Sequence, residues 1–411
     1  MLRQSPAPGR PAVRTGATLV PPGLALIAVT YGLARYAYGL FVPHLRETFD
    51  LSASVLGVIG AGSYAGYCVA IVVSLTFTSR VGPRRMAVAA GLVAVVGMAA
   101  VAGAPTAWVL AAGVLVAGSA TGLASPPMGE AVANRVPEPD QDRSNALINS
   151  GTSLGVAVSG PAALLAAEQW RLAWAAFALI GAAVLVWNAL AMPHRTTGTS
   201  PAGDPSGAMN ADRNGRTTGA PSLSWGYLTR WPAATLFAAA GGVGFASAAY
   251  WTFARDLVVQ AGHLTETGST LFWAVIGVFG LAGGAAGDLV TRFGLGKALK
   301  GSLLAMAASI ALLAAAPGVL SLSYLSAALF GSTYVTLTGI ILVWSVATFP
   351  ERPSAGLGAG FLMIAVGQVA GSPAAGALAG ATSLPVTFLV FAGLAALLAW
   401  IRPRPENLRA R

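Results

Sequence analysis

The sequence predicts an all-α integral membrane protein in which twelve transmembrane helices form two parallel six-helix repeats. Composition is the first reason: 55% of the 411 residues are hydrophobic, 9% are charged, and the mean hydropathy is +0.69. These values exclude an ordinary soluble globular domain. The other two reasons are the number of apolar segments of membrane-spanning length and a long-range internal repeat.

The apolar segments predict where the helices cross, because roughly 20 apolar residues span the hydrocarbon core of a bilayer. The predicted spans lie near residues 18–43, 53–79, 85–104, 107–133, 143–167, 172–192, 231–254, 266–290, 297–316, 320–349, 354–380 and 384–401. The 51 glycines allow neighbouring helices to pack closely in lipid. The single cysteine, Cys68, excludes an intramolecular disulfide.

Identical residues recur 212 residues apart along the chain, which predicts a duplication. The pairs are Gly32/Gly244, Ala34/Ala246, Ala37/Ala249, Tyr38/Tyr250, Phe41/Phe253, Leu45/Leu257, Arg80/Arg292, Gly82/Gly294, Gly155/Gly367 and Pro161/Pro373. Each half holds an even number of spans, so the halves should lie parallel and be related by an axis along the membrane normal. This architecture is common in secondary transporters.

Basic residues predict the orientation, since short cytoplasmic loops collect Lys and Arg. With both termini inside, only Arg46, Arg171 and Arg255 of the basic residues remain on the outside. Asp256, which lies beside Arg255, is expected to open to the outside. The net charge of +10 therefore indicates membrane topology, and no nucleic-acid partner is expected. We expect a monomer that crosses a bacterial inner membrane many times, with both termini in the cytoplasm.

Polar, Gly-rich and Ser-rich stretches separate the predicted domains, because they cannot bury enough apolar area to fold. The predicted order is a disordered cytoplasmic tail at 1–16, a six-helix bundle at 17–192, a cytoplasmic linker at 193–224, a second six-helix bundle at 225–402 and a cytoplasmic tail at 403–411.

Two loops carry matching basic motifs after spans two and eight. The first contains Arg80, Gly82, Arg84 and Arg85, and the second contains Asp288, Arg292 and Gly294. Both resemble the loop signature of the major facilitator superfamily, which implies the twelve-helix fold of that family and a gating role for these residues. The acidic residue of the signature is absent at Ser79 and Thr291, although Asp288 can substitute in the second half. The alternative is that the arginines only anchor the loops at the membrane surface.

Span five contains a Gly-Pro motif that includes Gly155, Gly160 and Pro161, and Pro373 repeats it in span eleven. It resembles a motif of superfamily exporters, so the resemblance favours export over import. Glycines at these spacings also serve as simple packing positions. The arginine that many superfamily proton antiporters carry in span four would fall near Gly118 and is missing. Glu130, near the inner end of span four, is predicted to pair with a loop arginine as a cytoplasmic gate.

Arg35 is the most informative single residue, because an ionisable group inside a span needs a partner or a wet cavity. Tyr31, Arg35 and Tyr38 are spaced i, i+4 and i+7 and should share one stripe of span one. The first helix of the superfamily fold lines its central cavity, by resemblance, and this span is similar to the YbfB-type branch of bacterial permeases. The stripe suits a carboxylate or other anion with an apolar or aromatic body. The alternative is an arginine that caps carbonyls of a broken helix or pairs with an acid.

The repeat and the polar residues of later spans add further predicted substrate contacts, namely Tyr250, Trp251, Tyr334, Thr338 and Gln368. The predicted function is alternating-access transport of a small organic anion. The alternatives are a proton-coupled multidrug exporter and a membrane receptor or sensor that uses the same fold. No carboxylate or histidine lies near mid-membrane, so uniport, symport and antiport all remain open. No motif indicates an enzyme, a cofactor or a metal site.

Overall fold

The computed structural model describes residues 13–165, 169–192, 231–350 and 353–403, and the regular structure in these residues is helical. Twelve helical rods follow one another along the chain. Helix α1 comprises the segments Val13–Ile27, Ala28–Tyr36 and Ala37–Phe49, and the rods of the first half continue with α2 Ala53–Val81, α3 Pro83–Ala102, α4 Ala107–Arg135, α5 Glu138–Leu165 and α6 Trp170–Ala191. The second half contains α7 Trp231–Gln260, α8 with the segments Glu266–Gly280, Leu281–Ala285 and Ala286–Phe293, α9 Leu295–Ala315, α10 Leu320–Thr348, α11 Pro353–Ala381 and α12 Leu384–Leu398.

Ten of these rods are long and apolar enough to cross a membrane, within the described parts of the chain. Helix α12 is apolar but shorter. Helix α5 carries acidic residues in its first turn and a polar, Gly-rich middle, which lowers its hydropathy. The predicted all-α architecture of two six-helix halves is confirmed. The predicted linker at 193–224 lies outside the described residues, as does most of each predicted tail.

The middle of α1 departs from the plain helix that the sequence predicts. Residues Ala28–Tyr36 form a π-helix, in which hydrogen bonds join residues five apart. At its end the backbone N–H of Ala37 donates to the carbonyl of Gly32. The wider turn changes which side chains share a face of α1, and it does so where the predicted site begins.

The repeat is visible in how the first helix of each half crosses the fifth. A Cβ added to Gly155 would lie 2.2 Å from the Ala28 carbonyl oxygen, so α1 and α5 touch through their backbones. In the second half, a Cβ on Gly367 would lie 1.9 Å from the Gly241 carbonyl oxygen on α7. Both crossings require glycine for close approach.

The two halves meet along the pairs α2–α11 and α5–α8. We name the ends of the bundle the Asp50 side, after the turn between α1 and α2, and the Gly82 side, after the turn between α2 and α3. Near the Asp50 side, a Cβ on Gly376 of α11 would lie 2.4 Å from the Ala53 carbonyl oxygen of α2. Toward the Gly82 side, Gly284 and Gly287 of α8 have nothing within 4 Å of an added Cβ. Among the described residues, α8 is therefore packed more closely toward the Asp50 side.

Candidate functional site

Arg35 lies in the π-helix of α1, and its side chain is surrounded by aromatic rings. Only 5% of the residue is exposed. The guanidinium carbon lies 4.5 Å from the ring centre of Tyr67, 4.9 Å from Tyr64, 5.3 Å from Tyr36 and 5.8 Å from Tyr31. We call these four rings the tyrosine cage. Ring faces attract a cation electrostatically and hold the guanidinium at the centre of the bundle.

A chain of hydrogen bonds connects the caged arginine to the second half. Arg35 Nη2 donates to Gln368 Oε1 at 2.9 Å, and Gln368 Nε2 donates to the Tyr334 hydroxyl at 3.2 Å. The hydroxyls of Tyr36 and Tyr334 lie 3.3 Å apart. The site therefore joins α1 of the first half to α10 and α11 of the second half.

The arginine has a neutral environment among the described residues. The ion pairs found there involve Arg46, Arg255 and His44, and none includes Arg35. Arg35 Nε is buried and has no hydrogen-bond acceptor in the described part of the chain. The alternative of an arginine paired with an acid is therefore not observed, and its hydrogen bond goes to a carboxamide rather than to a backbone carbonyl.

The predicted stripe of Tyr31, Arg35 and Tyr38 is only partly formed. Tyr31 belongs to the cage, and its hydroxyl is 2.8 Å from Ser125 Oγ on α4. Tyr38 instead points to α2, where its hydroxyl donates to the Leu56 carbonyl at 2.7 Å. The π-helix explains this correction, because hydrogen bonds between residues five apart break the spacing of an α-helical stripe.

Three cage members were not predicted from the sequence. Tyr36 directly follows Arg35, which placed it off the expected stripe. Tyr64 and Tyr67 are three residues apart on α2 and so face one direction. That spacing is the signal that identifies them in retrospect, although it does not indicate which helix they face.

Three of the remaining predicted contacts, Trp251, Tyr334 and Gln368, extend the site. The Trp251 ring stacks on Tyr36 with ring centres 4.0 Å apart, and it meets the Tyr334 ring edge-on at 5.2 Å. Gln368 and Tyr334 take part through the hydrogen bonds given above. Thr338 lies one turn beyond Tyr334, and its hydroxyl donates to the Tyr334 carbonyl at 3.0 Å.

Tyr250 lies outside the site, which corrects its predicted role. Its ring is fully buried and stacks on Phe330 at 3.7 Å between centres. Its hydroxyl lies 2.8 Å from Ser326 Oγ. Tyr250 is therefore part of the packed core of the second half, because its ring is already stacked and its hydroxyl is already hydrogen-bonded there.

The two loop motifs form the same one-residue turn. Gly82 has φ 94° and ψ 148° between α2 and α3, and Gly294 has φ 79° and ψ 152° between α8 and α9. Glycine alone adopts this region readily. The repeated loop signature thus reflects one backbone conformation that occurs in both halves.

The basic residues of the loops contact neighbouring helix ends and rings. Arg84 donates from Nε and Nη2 to the Ala189 carbonyl in the last turn of α6, at 3.1 and 2.6 Å. This carbonyl lacks a partner within its own helix, so the arginine caps it. Arg80 lies over the Phe77 ring and Arg292 over the Phe293 ring.

The acidic residues of the predicted gate on the Gly82 side do not form the expected ion pairs. Within the described residues, Glu130 forms no ion pair with Arg84 or Arg135. Asp288 is exposed, as is Arg85. The predicted pairing of Glu130 with Arg84 or Arg135 is therefore absent from the described residues.

The Gly-Pro motif of α5 contributes to two helix interfaces. Gly155 packs against α1 within the first half, as described above. Gly160 faces α8 of the other half, where an added Cβ would lie 2.9 Å from the Thr270 carbonyl oxygen. Pro161 follows inside α5, and Pro373 occupies the corresponding place inside α11.

Ionic contacts join the halves on the Asp50 side, where the sequence predicted that Asp256 opens to the outside beside Arg255. Both residues are instead fully buried. Arg46 of α1 donates to Asp256 of α7 from Nε at 3.4 Å and from Nη2 at 2.6 Å, and Gln260 adds a hydrogen bond at 2.9 Å. Packing between the two halves overrides the sequence expectation, because it places the carboxylate against an arginine of the other half.

Arg255 forms a second contact between the halves. Its guanidinium donates to Glu266 and to the Leu40 carbonyl of α1, and it lies 3.3 Å from His44 Nδ1. We call the Arg46–Asp256 pair and this Arg255 cluster the Asp50-side lock. In the described structure the lock closes that end of the interface.

Comparison with known proteins identifies the family. The model of the Major Facilitator Superfamily matches residues 24–359. A search of curated proteins found no match. A variant of the nucleoside transporter NupG superposes with a TM-score of 0.72 at 14% identity, covering 93% of this chain and 98% of that chain. A bacterial homolog to the human lysosomal transporter Spinster, inward-facing and unoccupied, has a TM-score of 0.71 at 13% identity, with 95% and 98% covered. These structures share the fold, and the family match covers most of the sequence, so the chain belongs to the major facilitator superfamily.

Proposed function

We propose that this transporter carries a small organic anion across the membrane and that Arg35 is the group that binds the anionic end. Membership of the superfamily supports membrane transport by alternating access. The charge of the solute is our own inference. It rests on the chemistry of the site at the interface of the two halves.

One observation carries the proposal: a buried guanidinium lies between four rings and a carboxamide with no carboxylate beside it among the described residues. A buried charge is costly unless it is paired. A bound anion would supply the missing pair, with charge-assisted hydrogen bonds from the guanidinium. The cage and the Trp251 ring offer apolar surface for the rest of the solute.

The multidrug-exporter alternative fits the site less well. The cage is already occupied by a cation, which repels a cationic drug. Gly118 packs on α2 so closely that an added Cβ would lie 2.2 Å from Ser63 Oγ, which leaves no room for an antiporter-type arginine in α4. Export is favoured over import because the Gly-Pro motif of α5 resembles that of superfamily exporters. The similarity of α1 to the YbfB-type branch is consistent with this proposal and names no solute.

The test is binding and exchange of matched charged and neutral probes. Benzoate and other small aromatic carboxylates should raise the melting temperature of the purified protein, whereas benzamide, which has the same shape without the charge, should not. Labelled benzoate should exchange across proteoliposomes, which a receptor that does not transport would fail to do.

Arg35→Ala should weaken anion binding roughly 10- to 100-fold, since a hydrogen bond to a charged group contributes about 1.5–3 kcal/mol. Arg35→Lys should recover part of the binding, because the charge remains but the planar fork is lost. Arg171→Ala is the matched control, an arginine that stacks on Trp170 away from the site. Unchanged benzoate binding and exchange in Arg35→Ala, or a preference for cationic probes, would refute the proposed site.

A further inference from the structure

We infer that the Gln368 carboxamide oxygen occupies the position of one oxygen of a substrate carboxylate, and that the substrate displaces Gln368 from Arg35 when it binds. The inference rests on the proposed anion site. It adds that the contact of Gln368 with Arg35 depends on whether a substrate is bound. It also narrows the solute from anions in general to those with a planar carboxylate.

The argument begins with the shape of the guanidinium. Nε and Nη2 lie along one edge of the plane, and a carboxylate can accept a hydrogen bond from each. At Arg35, Nη2 donates to Gln368 Oε1 at 2.9 Å, while Nε is buried without an acceptor among the described residues. A carboxamide has a single oxygen, and its amino group cannot accept a hydrogen bond. Gln368 therefore accepts only one of the two hydrogen bonds that this edge of the guanidinium can donate.

The same protein contains the complete version of this interaction. At Arg46, Nε donates to Asp256 Oδ1 and Nη2 donates to Oδ2, so both oxygens of the carboxylate lie on the same edge. Arg35 presents the equivalent atoms to Gln368, where only the Nη2 position is filled. The comparison of the two arginines indicates that the Nε–Nη2 edge of Arg35 is suited to a carboxylate.

Displacement of Gln368 has a mechanical consequence. The Arg35–Gln368 hydrogen bond links α1 of the first half to α11 of the second, and Gln368 is in turn bonded to Tyr334 of α10. A carboxylate that takes the place of Oε1 removes a direct link between the halves and leaves Gln368 held by α10. Binding is thereby coupled to the contact that must change during alternating access.

The first arm of the test needs no ligand. Gln368→Glu keeps the shape of the side chain and supplies the second oxygen beside a guanidinium that is already buried. We expect it to raise the melting temperature by a few degrees when Arg35 is present, and to lower it in the Arg35→Ala background, where the new charge has no partner. Gln368→Met, which has a similar length but no carboxylate, should not raise the melting temperature, and it should lower it when Arg35 is present, because the buried guanidinium then loses an acceptor. A loss of stability in Gln368→Glu that is the same with and without Arg35 would overturn the inference.

The second arm uses benzoate. Gln368→Glu should abolish the thermal shift that benzoate produces, because the edge is filled internally, whereas Gln368→Met should increase it, because the competing oxygen is gone. A benzoate shift that survives in Gln368→Glu would overturn the inference. Failure of benzoate and the other aromatic carboxylates with the wild type and Gln368→Met alike, together with the expected result in the first arm, would count against the proposed function and not against the geometry of the Arg35 edge.

Discussion

The buried charges of this bundle differ in what surrounds them. Arg46 has a carboxylate partner across the interface of the halves, and Arg255 pairs with Glu266 of its own half. Arg35 has rings and a carboxamide instead. Because an unpaired charge is costly in a medium without water, we infer that the first two stabilise this arrangement and propose that the third binds a ligand.

Removing the carboxylate of the Asp50-side lock should destabilise this closed arrangement. Asp256→Asn leaves Arg46 without its bidentate partner, and we expect a loss of roughly 2–3 kcal/mol, since hydrogen bonds to charged groups are involved and a single charge is left behind. The Arg46→Met/Asp256→Asn double variant should recover most of the loss, because no lone charge remains. Thermal unfolding of the purified proteins measures both effects.

Glu130→Gln is the matched control for this residue-level prediction. Glu130 is only partly buried and has no ion pair with Arg84 or Arg135 in the described residues, so its neutralisation should change stability by less than about 0.5 kcal/mol. Both single variants should retain solute exchange at equal pH on the two sides. A double variant as unstable as the sum of its two single changes would show that the Arg46–Asp256 pair is not coupled.

Three backbone features shape individual helices: a π-helix, close glycine crossings and single-glycine turns. The π-helix of α1 places Arg35 and Tyr36 toward the second half, and glycine-mediated crossings bring α1 against α5 and α7 against α11. The turns at Gly82 and Gly294 reverse the chain with a single residue. Each of these features lies in, or packs against, a helix that must move relative to its neighbours during transport.

Valine at Gly82 or Gly294 should slow the interconversion of states more than it weakens binding. At Gly294 nothing lies within 4 Å of an added Cβ, so the effect comes from the backbone alone. Gly294 has φ 79° and ψ 152°. A residue other than glycine adopts this backbone conformation at a free-energy cost of order 1–3 kcal/mol. Gly301→Val is the matched control, because Gly301 also has open space around it but lies inside α9. We expect slower exchange of labelled benzoate in proteoliposomes with little change in its thermal shift. Exchange at the control rate in both turn variants would show that these loops serve only as anchors.

The whole molecule is a pair of similar halves joined most closely at the centre and on the Asp50 side. The Asp50-side lock and the contacts of α2 with α11 close one end, while α8 is loosely packed toward the other. This asymmetry is consistent with a carrier whose site communicates with the Gly82 side. The basic residues predict that the Gly82 side meets the cytoplasm.

Reporter fusions should establish the orientation of the molecule. Fusions near Asp204, which lies outside the described residues, and after Arg411 should report the cytoplasm, whereas a fusion near Gln169 should report the outside. The reason is the concentration of Lys and Arg in the loops of the Gly82 side. A cytoplasmic signal near Gln169 would contradict the predicted topology.

The sequence by itself determined the membrane class, the twelve helices and the duplication, and it indicated Arg35 as a candidate site residue. Hydropathy and a fixed spacing between identical residues are properties of the linear chain, so they can be read without knowing how the helices are rotated. The two Gly turns belong to this group as well, because their backbone conformation depends on local sequence.

Only the tertiary structure decided which side chains surround Arg35 and which acid meets Arg46. The partner of Arg35, Gln368, is 333 residues away along the chain. Tyr64 and Tyr67 come from α2, and the π-helix of α1 replaced Tyr38 with Tyr36 in the cage. Such partners depend on the rotation and crossing of helices packed in three dimensions, whereas the spacing of residues along one helix fixes only which of them share a face.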